Sequence, residues 1–181
     1  RGFFVGNAYG RRFAGFRKSG GFAGGKVILR GNHDYWWNTL SQVRSLIPKG
    51  FYALQNDCLR FGDILICVTR GWTCPDGDNL NAEDKKIYLR EIERLKLSIA
   101  SMQKQRKPTD KVVAITHFPP FNGRYDESEF TKQFVLADID TVVYGHLHGK
   151  DCRANLQFKK FGINFYLTSC DLTGNKLTRI I

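Results

Sequence analysis

Three short apolar runs, rich in β-branched residues, constrain the fold of this chain most strongly. They are Lys26–Arg30, Lys111–Thr116 and Thr141–Tyr144. Runs of this kind are typical of strands that are buried on both faces, as in a sheet covered by other layers. Each run ends where a motif containing glycine or histidine begins. The sequence therefore predicts that loops at one edge of a sheet gather these motifs into one cleft.

All the histidines of the chain lie in these motifs, which are GNHD at 31–34, THFPP at 116–120 and GHLH at 145–148. The histidines are His33, His117, His146 and His148. Imidazoles confined to three such motifs indicate a single metal site, since divalent ions bind imidazole nitrogen and carboxylate or amide oxygen. His146 and His148 can share a cleft only in an irregular turn, or if each binds a different ion. The alternative is that these are ordinary hydrogen-bonded histidines of the core.

Further strands and helices are predicted between the motifs. Two hairpins are expected, one from Cys58–Phe61 and Asp63–Thr69 and one from Phe158–Lys160 and Ile163–Thr168. Helices are expected over Thr39–Leu46, Asn81–Lys107 and Ser128–Leu136. The longest helix carries an apolar stripe that we expect to pack in the core, formed by Tyr88, Ile92, Leu95, Ile99 and Met102.

Composition narrows the class of protein. A length of 181 residues with 42% hydrophobic residues suits one domain with a sizeable core. No apolar run is long enough to cross a bilayer, and the 5 cysteines form no C-x-x-C pair, so a cytoplasmic protein with reduced thiols is expected. The net charge of +11 makes nucleic acid a conceivable partner. However, residues 1–25 hold basic side chains and no acidic ones, and the rest is of mixed sign, so charge alone does not indicate that partner.

The ordered motif set resembles the calcineurin-like metallophosphoesterases. Within them it is similar to the predicted phosphohydrolases of bacteria and archaea, through the aromatic run Tyr35–Trp37 and the segment TRGWTCP at 69–75. The resemblance implies an α/β fold, a two-sheet β-sandwich flanked by helices in four layers, over a domain at 26–181. It also implies hydrolysis of phosphomonoesters or phosphodiesters by a hydroxide that bridges two divalent ions such as Mn, Fe or Zn.

The resemblance also assigns the metal ligands. It implies that Asn32 binds one ion through its amide oxygen, together with His117 and His146. His148 would bind the other ion. His33 would instead contact the substrate phosphate and protonate the leaving oxygen, while Asp34 would orient and charge-stabilise that histidine.

Two weaker candidates for substrate binding lie in loops. Trp72 either contacts the substrate or packs within its loop, and Arg124 either reaches a phosphate or is an exposed loop charge. Asp171 is expected to be a turn residue rather than a ligand. The sequence does not select a substrate, a metal or an oligomeric state, since relatives with this fold cleave very different phosphoesters.

The N-terminal part departs from the family pattern. The family carries an upstream Asp-x-His pair and a Gly-Asp pair whose carboxylate bridges the ions, but no Asp, Glu or His precedes Gly31 here. The first ion would keep only His148. We therefore expect impaired activity. The alternative is a degenerate, non-catalytic member that binds nucleic acid or another polyanion.

Residues 1–25 are atypical, because they are basic and Gly-rich without periodicity. One hypothesis is a shifted reading frame. Codons permitted for this segment, read one nucleotide further on, can encode a Gly-Asp pair, an acidic amphipathic helix and a Leu-Pro-Gly turn before Lys26. The Asp-x-His pair would then lie further upstream. The alternative is a genuine disordered basic tail.

Overall fold

A six-stranded mixed sheet organises the chain in a computed structural model, which describes residues 4–5, 24–77, 79–149 and 151–181. From one edge to the other, its strands are β4 (Cys58–Phe61), β5 (Ile64–Thr69), β6 (Lys111–Thr116), β7 (Thr141–Tyr144), β9 (Ile163–Leu167) and β8 (Gln157–Lys160). The outer strands β4 and β8 pair antiparallel with their neighbours, and the four inner strands are parallel. The carboxyl ends of those four strands therefore meet at one edge of the sheet.

Two smaller sheets complete the strands. One pairs β2 (Lys26–Ile28) with β3 (Phe51–Ala53) in parallel, and the other pairs β1 (Phe4–Val5) with β10 (Thr178–Arg179). The sequence predicted a strand over Lys26–Arg30, which is two residues too long. The strand stops at Ile28 because its partner β3 ends opposite that residue, at Ala53.

The helices are α1 (Leu40–Leu46), α2 (Ala82–Gln103) and α3 (Glu129–Leu136). Each starts one residue later than predicted, because the predicted first residue is the N-cap, whose side chain accepts a backbone N–H bond; the caps are Thr39, Asn81 and Ser128. The long helix also ends at Gln103 rather than Lys107. Beyond it, Lys107 N donates to Asp110 Oδ2, so this segment belongs to the loop that leads to β6.

These elements stack in four layers, which confirms the predicted two-sheet sandwich flanked by helices. One face of the six-stranded sheet packs against α2 and α3, and the predicted stripe of α2 is wholly buried there. The opposite face packs against the β2–β3 sheet, with Leu54, Val68 and Val143 in the shared core. On the far side of that small sheet, Trp37 and Val43 pack against Ala53 and bring α1 into the outer layer.

The predicted atypical segment, residues 1–25, lies largely outside the described residues. Its described parts are Phe4–Val5, paired with β10, and Gly24 and Gly25, which lead into β2. Among the helices of the described ranges, none has both the length and the apolar character needed to cross a membrane.

Candidate metal centre

The parallel strands place three of the predicted ligands at one edge of the fold. His117 directly follows β6, and His146 lies two residues after the end of β7. Asn32 comes from the other sheet, four residues after the end of β2. Side chains that are distant in sequence therefore meet because their strands end side by side.

Three donor atoms converge in this cleft. His117 Nε2 lies 2.7 Å from Asn32 Oδ1 and 3.1 Å from His146 Nδ1. Phe118 packs against the His146 ring, with centroids 4.1 Å apart. Phe118 also contacts the His117 ring, with centroids 5.1 Å apart, so it packs against both imidazoles.

Backbone hydrogen bonds hold the strand-end loops together. The N–H groups of His117 and Phe118 both donate to Arg70 O, at 3.1 and 3.0 Å. Gly145 N donates to His117 O at 3.2 Å, which ties the loop after β7 to the loop after β6. The position of His117 is therefore set by the backbone on both sides.

His146 lies at the centre of a tight turn. Leu147 N donates to Gly145 O at 2.8 Å, and the φ angle of His146 is 69°. This is a γ-turn with positive φ, a conformation that is rare and strained for a residue with a side chain. The sequence expectation of an irregular turn at His146 is confirmed. The turn directs Nδ1 of the imidazole towards His117.

The GNHD loop is closed by Asp34. Gly31 N donates to Asp34 Oδ2 at 2.7 Å, and Trp36 Nε1 donates to Asp34 Oδ1 at 3.0 Å. The carboxylate thus shapes the loop that presents Asn32. That Asp34 orients His33 stays a prediction.

His33 and His148 lie at the rim of the cleft. Each is close enough to disfavour protonation of both His117 and His146. The ring of His148 lies 6.4 Å from that of His146, centroid to centroid. Asp171, predicted as a turn residue, accepts the N–H of Gly149 at 2.7 Å and so anchors the GHLH loop. This contact joins two loops that are distant in the chain, and no sequence pattern indicates it.

The electrostatics favour neutral imidazoles in the cleft. Burial, together with the nearby His146 and Arg70, lowers the pKa of His117 to about 4. Burial is also the main cause that lowers the pKa of His146. Neutral imidazole is the form that binds metal ions, so binding needs no proton release from His117 at neutral pH.

The donor spacing tests whether a metal ion suits these residues. Two ligand atoms bound at right angles, each about 2.1 Å from one ion, lie about 3.0 Å apart. His117 Nε2 lies at distances of about this size from both Asn32 Oδ1 and His146 Nδ1. The described part of the chain contains no cluster of three or more His, Cys, Asp or Glu side chains suited to a metal, so this ion would depend on two histidines and the amide of Asn32, and a second ion has less support still.

The two weaker candidates occupy different surroundings. Trp72 packs on Phe118 with ring centroids 5.0 Å apart, and its Nε1 donates to Asp84 Oδ1 at 3.0 Å. Phe118 therefore contacts the rings of both Trp72 and His146. Arg124 is exposed and forms ion pairs with Asp76 and Asp126. A role in substrate binding stays a prediction for both.

Comparison with known proteins identifies the family of the chain. The comparisons with curated proteins and with solved structures found no match. A family model described as calcineurin-like phosphoesterase matches residues 7–150, which is more than half of the chain and includes all the motifs above. The chain therefore belongs to the calcineurin-like phosphoesterases.

Proposed function

We propose that this chain is a metal-dependent phosphohydrolase that acts on phosphomonoesters or phosphodiesters, with activity limited by an incomplete metal site. The observation that carries the proposal is that His117 Nε2 lies 2.7 Å from Asn32 Oδ1 and 3.1 Å from His146 Nδ1. These atoms come from three separate loops and are neutral ligands. We infer that they hold one divalent ion such as Mn, Fe or Zn.

His33 and Asp34 keep, in this proposal, the catalytic roles that the family resemblance implies for them. A bound divalent ion lowers the pKa of water and neutralises the charge on the transferring phosphoryl group. His33, at the rim, would donate a proton to the leaving oxygen. Asp34 would support this histidine by holding the GNHD loop closed through Gly31 N.

The second ion would depend on His148. A single imidazole is a weak site, and the described residues contain no group of three or more His, Cys, Asp or Glu side chains suited to a metal. We therefore expect one ion to bind well, a second to bind poorly, and turnover to be slow. In an intact family site, two ions would flank the phosphoryl group.

The alternative function is non-catalytic binding of nucleic acid or another polyanion. The net charge of +11 is compatible with it, although charge alone does not indicate such a partner. The described residues also contain no group of three or more His, Cys, Asp or Glu side chains suited to a metal. Such binding would weaken steeply as salt is raised.

Hydrolysis of bis-p-nitrophenyl phosphate and p-nitrophenyl phosphate with added Mn²⁺ separates these functions. We expect slow, Mn²⁺-dependent release of nitrophenol that His117→Ala abolishes and His33→Ala reduces by at least about a hundredfold. Asn32→Ala removes the third proposed ligand. The exposed Asn155→Ala is its matched control and should leave the rate unchanged. If no hydrolysis is detected while salt-sensitive binding of a DNA oligonucleotide is, the alternative function is the correct one.

A further inference from the structure

A narrow cavity lies beside the metal centre, where β5 extends past the end of β4. Cys67 is the last β5 residue paired with β4, so the edge of β5 is open beyond it. There the N–H of Val68 donates to Ser98 Oγ at 2.9 Å instead of to a strand. The segments Leu29–Arg30 and Leu54–Asn56 close the other sides. The enclosed space measures only about 20 Å³, and about 310 Å³ when the adjoining part that opens to solvent is included, so a ligand larger than one water would have to occupy the open part.

The charged lining of this cavity is unbalanced. Its charged residues are Arg30, Arg70, Arg94 and a single acid, Glu91. The carboxylate of Glu91 is buried and accepts from Arg94 Nη1 at 2.7 Å and from Arg70 Nη2 at 3.3 Å. The lining therefore holds two more positive than negative charges, although Arg70 also lies over the Trp72 ring, 4.7 Å from its centroid, and Arg94 is partly exposed to solvent. Such charges are costly to bury unless something compensates them.

Hydrogen-bonding capacity is also unused at this place. Arg30 Nε and Arg70 Nε are both buried, and neither has a hydrogen-bond partner within the described ranges. Burial is the main cause that lowers the pKa of Arg70, and the nearby Arg30 and Arg94 lower it further, against the effect of Glu91. Native proteins rarely leave buried donors unpaired, so a missing partner is expected here.

The cavity adjoins the proposed catalytic cleft through the backbone. Arg30 lies two residues before Asn32, and Arg70 O accepts the N–H groups of His117 and Phe118. A ligand held by these arginines would therefore rest against the segments that carry two of the proposed metal ligands.

We propose that Arg30, Arg70 and Arg94 form an anion site that binds a phosphate group without needing a metal ion. Guanidinium groups bind phosphate oxygens through paired, charge-assisted hydrogen bonds. A phosphate dianion would supply the two missing negative charges. The occupant would be either free phosphate or a further phosphate group on the substrate, and the latter source rests on the proposed phosphohydrolase function.

Calorimetric titration with inorganic phosphate, in EDTA and at constant ionic strength, tests the site apart from any metal. We expect one phosphate per chain and an affinity that Arg30→Gln weakens by at least about tenfold. Arg30 is the residue of choice because no ion pair joins it to Glu91, so its loss leaves no buried carboxylate unpaired. The control is Lys96→Gln. It also removes one positive charge, but from the exposed face of α2, where Lys96 pairs with Glu93.

The outcomes are distinct. An absence of phosphate binding overturns the proposal. Equal weakening of phosphate binding by Lys96→Gln and Arg30→Gln also overturns it, because equal effects would indicate only a general attraction of the anion to a basic protein. If Arg30→Gln unfolds, Arg30→Lys keeps the charge but loses the paired donors and should still weaken binding. If the chain binds phosphate in EDTA but never hydrolyses an ester with Mn²⁺, only the proposed function fails.

A second arm separates the two sources of the phosphate. With Mn²⁺ present, pyrophosphate should bind at least about tenfold more tightly than phosphate if the site serves a second phosphate of the substrate. That advantage should disappear in Arg30→Gln. Equal affinities for the two anions assign the site to free phosphate.

Discussion

A Cβ atom placed on Gly31 would lie only 3.1 Å from His117 Cε1, so an alanine at this position would need the neighbour to shift by a few tenths of an ångström. It would also lie 3.2 Å from Asp34 Oδ2, the oxygen that accepts the Gly31 N–H. The glycine of GNHD therefore allows close packing of the loop against a proposed metal ligand. Its φ angle is not in the left-handed region, so backbone strain is not the reason.

Gly31→Ala should accordingly weaken metal binding. The added methyl group displaces either the His117 ring or the Asp34 carboxylate, and we expect the affinity for Mn²⁺ to fall by about ten- to a hundredfold. Gly123→Ala is the control, because a Cβ there meets no atom within 4 Å. Equal affinities of the two variants would contradict this account of the loop.

Asp110 should make stability depend on pH in the acid range. It accepts from Arg60 Nη1 and Nη2 at 2.8 and 2.7 Å, and this contact is the main cause that lowers its pKa to about 2. Since the pKa is lower in the folded state, the stabilisation is present above the ordinary carboxyl pKa of about 4 and is lost as the pH falls towards 2.

Asp110→Asn tests that dependence. Urea unfolding should show the variant less stable than the parent at pH 6, with a difference that narrows as the pH is lowered from about 4 to about 2. Asp63→Asn, exposed in the β4–β5 turn, should change little at any pH. A difference between Asp110→Asn and the parent that stayed constant down to pH 2 would rule out the carboxylate as its source.

Leu95 and Leu97 test the assigned face of α2. Leu95 is fully buried against the six-stranded sheet, whereas the side chain of Leu97 is 57% exposed. Leu95→Ala should lower the free energy of unfolding by about 2–5 kcal/mol, and Leu97→Ala by less than about 0.5 kcal/mol. Similar losses in the two variants would show that the helix is rotated from the described position.

The hypothesis of a shifted reading frame concerns residues 1–25 and can be tested directly. The coding DNA of this segment, read one nucleotide further on, should encode a Gly-Asp pair followed by an acidic helix. Mass spectrometry of the natural protein gives an independent measurement, because trypsin would release residues 13–17 as a peptide if the segment is translated as written. Detection of that peptide would refute the hypothesis.

Local patterns predicted most of the fold. Strands β6 and β7 have the predicted bounds because continuous β-branched runs reflect burial on both faces. By contrast, β3 was missed, since three residues give no readable alternation and the strand exists through its pairing with β2. The one-residue error at each helix start reflects caps that lie outside the helix they satisfy.

Only the site residues that lie within a sequence motif were predicted. His117, His146 and Asn32 were named from the sequence, and the structure brings them together. Glu91 and Asp171 were not identified as contacts, because a glutamate within a charged helix and an aspartate near a turn are typical of solvated surfaces. Their contacts join segments far apart in the chain, and only the tertiary structure reveals them.

Counting the metal ions bound to this chain is the most direct test of the proposed site. Titration of metal-free protein with Co²⁺, followed by visible absorption, should show one tightly bound ion per chain that is lost in His117→Ala and in His146→Ala. His148→Ala should retain it, since that ring lies 6.4 Å from the His146 ring, centroid to centroid, and would bind a different ion. An absence of binding, two equally tight ions, or one ion that survives His117→Ala would contradict a metal site built on Asn32, His117 and His146.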